Sequence, residues 1–211
     1  MRPLIGVFYS GSIREIVVHS RKNGDGAVGF YPHWFNEEPK KLANYLNAEL
    51  KKTTWKIPND IARFGDYGVY HDFKEFEMTA FVDAPDIDPE ADNWQHIGHA
   101  VMLNEWGWKY DVVLRCRWDI FFSDEDLKLI KERVDHCWKT GEVTGINKPI
   151  IPPFSDDSRC LHDHVIIHRP QDFNFSLINT NKKPEKLWWE CICQNRNIPY
   201  KNLEFAAWEN L

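Results

Sequence analysis

Asp111-Val112-Val113-Leu114-Arg115-Cys116-Arg117-Trp118-Asp119-Ile120-Phe121-Phe122 holds the longest apolar strand signal in the chain. Strand side chains alternate faces with period two. That period puts Arg115, Arg117 and Asp119 on one face, and Leu114, Cys116 and Trp118 on the other. Two cations and a carboxylate therefore emerge at the end of a hydrophobic strand. Such groups are costly to bury unpaired, so they must pair with each other, reach solvent or meet a ligand. In an open α/β sheet, ligands sit beyond the carboxyl ends of the strands. A hard divalent cation there takes carboxylate and phosphate oxygens. Asp119 can hold such a metal while Arg117 or Arg115 neutralises phosphate or braces the carboxylate. An internal salt-bridge cluster, tying the strand to its neighbours, accounts for the same three residues equally well.

Outward from this strand the pattern alternates. Toward the N-terminus, Trp94 to Trp106 has helical character, and Met78 to Val82 is a short strand. Pro39 to Lys51 carries Leu42, Leu46 and Leu50 at helical spacing. Ala27 to Trp34 is a short apolar strand after the turn signal Asn23-Gly24-Asp25-Gly26. Leu4 to Tyr9 is a buried first strand, and Ile13 to His19 opens a helix or a second extended piece. Toward the C-terminus, Ser123-Asp124-Glu125-Asp126 caps a helix through about Trp138. Glu142 to Ile151 and Val165-Ile166-Ile167 are strands, and Pro184 to Arg196 is a last helix before a short tail. This alternation predicts an α/β fold with a partly parallel sheet.

The chain has 211 residues and a formal net charge of -6, with Lys and Arg scattered. No basic stripe of the kind nucleic acids select is present, so nucleic acid is not an expected partner. No apolar run approaches the ~20 residues of a membrane span. The five cysteines form no framework spacing, which points to reduced thiols in a cytosol-like compartment. The ten tryptophans suit stacking on sugar rings, or simple packing. The chain reads as a single domain over 1–211, either by itself or as one domain of a longer protein.

Three further motifs bear chemistry. Cys160-Leu161-His162-Asp163-His164 offers metal or acid–base groups, or a polar surface loop. Tyr9-Ser10-Gly11-Ser12-Ile13-Arg14 closes the first strand with a turn whose glycine lets backbone approach a ligand. Asp86-Ile87-Asp88 has the lexical form of a metal-binding Asp-x-Asp pair. It lies between prolines in an acidic loop with no long strand to deliver it, and is set aside.

The strand at 110–122 resembles the Arg-x-Arg-x-Asp strand of a group of GT-A-type glycosyltransferases, in which the Asp replaces the usual Asp-x-Asp metal ligand. Ser10-Gly11-Ser12-Ile13-Arg14 is similar to that group's early Ser-Gly-x-x-Arg turn. Phe30-Tyr31-Pro32-His33-Trp34 is similar to its Phe-x-His-x-Trp strand end, with His and Trp adjacent here. Asp163-His164-Val165 resembles its later Asp-x-Phe element. The resemblance implies a GT-A-like (Rossmann-like) mixed, mostly parallel central sheet flanked by helices. It implies a nucleotide-sugar half at about 1–122 and an acceptor-side half at about 123–211. It implies a UDP-sugar donor, a glycan acceptor, and Mn²⁺ or Mg²⁺ at Asp119. Ser10, Gly11, Arg14, His33, Gln95, Arg115, Arg117 and His164 are then the expected nucleotide-sugar residues, and Asp163 the expected catalytic base. Over most of its length the chain also resembles the N-terminal glycosyltransferase domain of a multidomain viral protein of capsid-glycan synthesis, which implies a cytoplasmic, host-cell setting. A non-catalytic carbohydrate-binding module and a metal-dependent phosphoesterase using Asp119, His162, Asp163 and His164 are the competing expectations.

Overall fold

The computed structural model describes residues 2–10, 16–19, 26–29, 34–56, 80–83, 95–118, 120–147, 159–178 and 184–205. The strands are β1 (Ile5–Tyr9), β2 (Ile16–His19), β3 (Gly26–Gly29), β4 (Glu49–Lys56), β5 (Ala80–Asp83), β6 (Val112–Cys116), β7 (Val143–Asn147), β8 (Val165–His168) and β9 (Tyr200–Glu204). The helices are α1 (Trp34–Leu46), α2 (Gln95–Trp106), α3 (Asp124–Thr140) and α4 (Pro184–Ile192). Seven strands form one sheet in the order β5-β4-β1-β6-β8-β7-β9, and β2 and β3 form a separate antiparallel hairpin. Every pairing in the large sheet is parallel except those of β8 with β6 and β7. The fold is thus α/β with a mixed, mostly parallel sheet flanked by helices, compatible with a Rossmann-like arrangement.

The period-two alternation sorts the core into two layers. Val7, Val112, Leu114, Cys116, Val165 and Ile167 face α1 and α3, where Leu42, Leu46, Leu127, Ile130 and Val134 meet them. Phe8, Val113 and Ile166 face the opposite layer of α2 and α4, with Met102, Leu103, Leu187 and Trp188. Among the described residues two helices lie on each face, and the central strands β1, β6 and β8 are buried on both sides, which is why they read as continuous apolar runs.

Local chemistry sets the element ends. Ser123 accepts from the Asp126 amide at 3.1 Å and Asp126 accepts from the Ser123 amide at 3.0 Å, a capping box that starts α3. Gly141, at φ +79°, stops α3 in the left-handed region. The helix expected over 39–51 runs instead from Trp34 to Leu46, and Leu50 lies in β4. Asn47 takes φ +53°, and the amides of Asn47 and Ala48 bond back to Asn44 and Ala43, so the helix closes before its apolar spacing runs out. Trp34 accordingly opens α1 rather than ending a strand. The long strand expected over 111–122 is regular only at Val112–Cys116, yet Ile120 and Phe122 remain in the core. The expected tail contains β9, a polar edge strand parallel to β7.

Candidate functional site

The order of the large sheet creates a switch point. From β1 the chain moves outward through β4 to β5, then returns to β6 on the other flank of β1. The carboxyl ends of β1 and β6 lie side by side, with Tyr9 opposite Cys116 and the Ser10 amide donating to the Cys116 carbonyl at 3.3 Å. The strand order reverses at β1, with β4 on one flank and β6 on the other, and it is outside such strand ends that open α/β sheets place ligands. Because β8 runs antiparallel to β6, with Val165 opposite Cys116, the residues just before β8 arrive at that same end.

Four sequence-predicted residues meet there. Arg115 is fully buried; its Nη1 donates to the Asp163 carbonyl, and its Nε lies 3.4 Å from Ser10 Oγ. The Asp163 carboxylate lies 4.0 Å from Arg115 Nη1 and 3.7 Å from Arg117 Nη1. The Arg117 side chain is 29% exposed, so it alone of the two guanidiniums can also meet a solvent-borne anion. The Arg117 amide donates to the His164 carbonyl at 3.0 Å, extending the β6–β8 pairing one step past the strand. As the period-two reading required, Arg115 leaves the layer that holds Leu114, Cys116 and Trp118; its guanidinium stacks 5.0 Å from the Trp188 ring. Arg115 and Arg117 thus belong to an ion-pair cluster, formed with Asp163 from the segment just before the neighbouring strand β8; whether Asp119 joins it lies outside the described residues.

Gln95 is the first residue of α2, but its side chain lies outside the described residues. The first turn of α2 is held close to the end of β1. A Cβ on Gly98 would sit 3.0 Å from Thr53 Oγ1 and 3.2 Å from the Ser10 Cβ. Gly11, Arg14, His33 and Asp119, like Asp86 and Asp88, lie outside the described residues. His162 and His164 flank Asp163, with the His162 Nδ1 2.9 Å from the Leu203 carbonyl. A carbonyl can only accept, so Nδ1 carries the proton and a neutral His162 presents Nε2 as a lone pair.

Beneath the arginines lies a histidine cluster not anticipated from sequence. His96 stacks on Trp188 at 4.2 Å, and fully buried His99 and His168 approach Nε2 to Nε2 at 2.9 Å. The His168 Nδ1 faces the Arg169 carbonyl at 2.8 Å and must donate, so its Nε2 accepts from His99. Burial drives both imidazoles toward the neutral form. It holds His168 at about 4 against a smaller opposing pull from Arg169. His99 is pushed well down by burial, then by the charges of His168, Arg115 and His96. Burial also lifts the Cys116 thiol to about 12, despite Arg115, so it is neither a nucleophile nor a thiolate ligand.

Among the described residues no group of three or more His, Cys, Asp or Glu could hold a metal ion, and no helix is long and apolar enough to cross a membrane. The charged groups at these strand ends are two guanidiniums on one carboxylate. A divalent cation there would need Asp119 together with oxygens of a bound anion. No protein-family model and no curated protein sequence matches the chain.

Proposed function

We propose that this chain is a metal-assisted glycosyltransferase of GT-A type, moving a hexose or deoxyhexose from a UDP-sugar to a glycan acceptor hydroxyl. One observation carries the reading: Ser10, Arg115, Arg117 and Asp163, from three distant stretches of sequence, converge on the switch point of a mostly parallel sheet. A paired cationic site at such strand ends suits a diphosphate. Arg117, the partly exposed guanidinium, contacts the diphosphate, and buried Arg115 positions Asp163. Asp119, two residues beyond Arg117, holds Mn²⁺ or Mg²⁺ with diphosphate oxygens; the ion offsets charge on the departing UDP. Asp163 acts on the acceptor side as base. Its carboxylate lies 3.7 Å from Arg117, the partly exposed guanidinium, which supports that role. The setting, viral capsid-glycan synthesis in a host cytoplasm, rests on the sequence resemblance alone.

Thermal unfolding with UDP, GDP or CMP, each with and without Mn²⁺, tests this reading. At 100 times Kd, binding adds ~2.7 kcal/mol, or roughly 5–10 °C for a chain of this size. Stabilisation that needs both UDP and Mn²⁺, and that Asp119→Ala removes, is expected. Stabilisation by metal without nucleotide would favour a phosphoesterase, and by free sugar alone a carbohydrate-binding module. Asp163→Asn is expected to spare donor binding and stop transfer; loss of donor binding instead would make Asp163 a ligand-site residue.

A further inference from the structure

Asp163 is held by residues that share none of its own sequence neighbourhood. The last residue of β7, Asn147, is buried, and its Oδ1 accepts two consecutive backbone amides, Asp163 at 2.8 Å and His164 at 3.0 Å. In the antiparallel register Ile146 faces Val165, so Asn147 stands opposite His164, where a ladder carbonyl would otherwise bond. The carboxamide replaces that carbonyl and gathers both amides, which turns the chain and aims the Asp163 side chain at Arg115 and Arg117. A second asparagine on β9 does the same one step earlier. Asn202 Oδ1 accepts from the His162 amide at 3.0 Å, and its Nδ2 donates to the Cys160 carbonyl at 3.0 Å. Between them Gly145 lets the segment lie on β7 itself, since a Cβ there would fall 2.6 Å from the His162 carbonyl oxygen and 2.7 Å from its amide nitrogen.

We infer that Asn147 is a positioning residue for Asp163, acting through the backbone of 163–164, with Asn202 and Gly145 completing a clamp over 160–164. The inference rests on the acceptor-side role of Asp163 proposed above. Placement errors of about 1 Å at a reacting group cost on the order of 100-fold in rate. An acceptor of two amides needs an oxygen but no amide hydrogens, so Asn147→Asp keeps the clamp while Asn147→Leu, of similar size, removes it.

The test joins hydrogen exchange with steady-state kinetics on UDP-sugar cleavage and transfer by the full chain. Expected for Asn147→Leu is faster amide exchange confined to 160–164, kcat reduced about 10- to 100-fold, and an unchanged Kd for UDP with Mn²⁺. Asn147→Asp restores both exchange protection and kcat to within about threefold of wild type. Exchange at 160–164 that does not change in Asn147→Leu overturns the clamp, whatever the activity. Faster exchange with kcat unchanged overturns the positioning role and leaves Asn147 merely structural. If the unsubstituted protein neither binds UDP with Mn²⁺ nor cleaves a donor, the proposed function fails and the positioning role falls with it. The exchange result separates that failure from a failure of the clamp itself.

Discussion

The buried pair His99–His168 should make this protein acid-sensitive in a way that can be removed by substitution. Above pH 6.5 both imidazoles are neutral in the folded and the unfolded chain, and their contribution is fully present. As pH falls below 6.5, the unfolded chain takes up protons that the folded one refuses, so stability drops. For His168 the drop continues to about pH 4, where the folded form protonates too and the loss levels off. The displacement from about 6.5 to about 4 corresponds to roughly 3 kcal/mol over the whole window, of which about 2 kcal/mol is lost between pH 7.5 and pH 5. His99 acts with the same sign, since burial and the neighbouring His168 and Arg115 also push it down. The perturbation is the double substitution His99→Leu/His168→Leu, which removes both hydrogen-bonding partners together and so avoids stranding one of them. Urea unfolding followed by tryptophan fluorescence at pH 7.5, 6.5, 5.5 and 5.0, at constant ionic strength, gives the comparison. Carboxylates elsewhere titrate in both proteins and cancel in the difference. The double variant should lose at least about 2 kcal/mol less than wild type on going from pH 7.5 to pH 5. Parallel losses, within about 0.5 kcal/mol, would show that the pair is not held neutral in the fold. The single substitution His99→Leu should be worse than the double at pH 7.5, because it leaves His168 Nε2 buried without its donor, at a cost of about 1–3 kcal/mol.

Arg115→Met should cost about 3–5 kcal/mol in urea unfolding, because Asp163 loses its buried partner and Trp188 its stacked cation; a loss under about 1 kcal/mol would mean Arg117 alone supports the carboxylate. Gly145→Ala should lower stability by about 1–3 kcal/mol, since the new Cβ meets His162 backbone rather than a yielding side chain. Calorimetry with no change in the unfolding temperature would contradict that close approach. Ser123→Ala removes one half of the capping box and should cost about 1 kcal/mol, whereas Ser123→Asp should retain most of it, as measured by denaturant midpoint.

Much of the fold is legible in the residues because it rests on local rules. The alternation of Val112 to Cys116, the cap at Ser123 and the glycine stop at Gly141 each act within a few residues. Where two local signals conflict, sequence reading goes astray. The leucine spacing that carries a helix through Leu50 ignores the left-handed Asn47, and the charged residues of β9 hide a strand whose one paired edge lies on β7. A glycine inside an otherwise regular strand, as at Gly145, was the available sign of a close backbone approach.

The stretch 110–122, of which Val112–Cys116 forms β6, shows the division most clearly. Its sequence by itself determines that Arg115 shares neither face nor layer with Leu114 and Cys116, since period two is a property of the extended backbone. It also determines that a cation so placed needs a partner, because an unpaired charge in an apolar layer is too costly to persist. Only the tertiary structure decided which partner. Asp163 reaches Arg115 and Arg117 because β8 runs antiparallel beside β6, while Asn147 holds the Asp163 amide and Asn202, on a further strand, the His162 amide before it. Strand order and direction arise from long-range pairing across the sheet, and no window of sequence around either arginine contains that information.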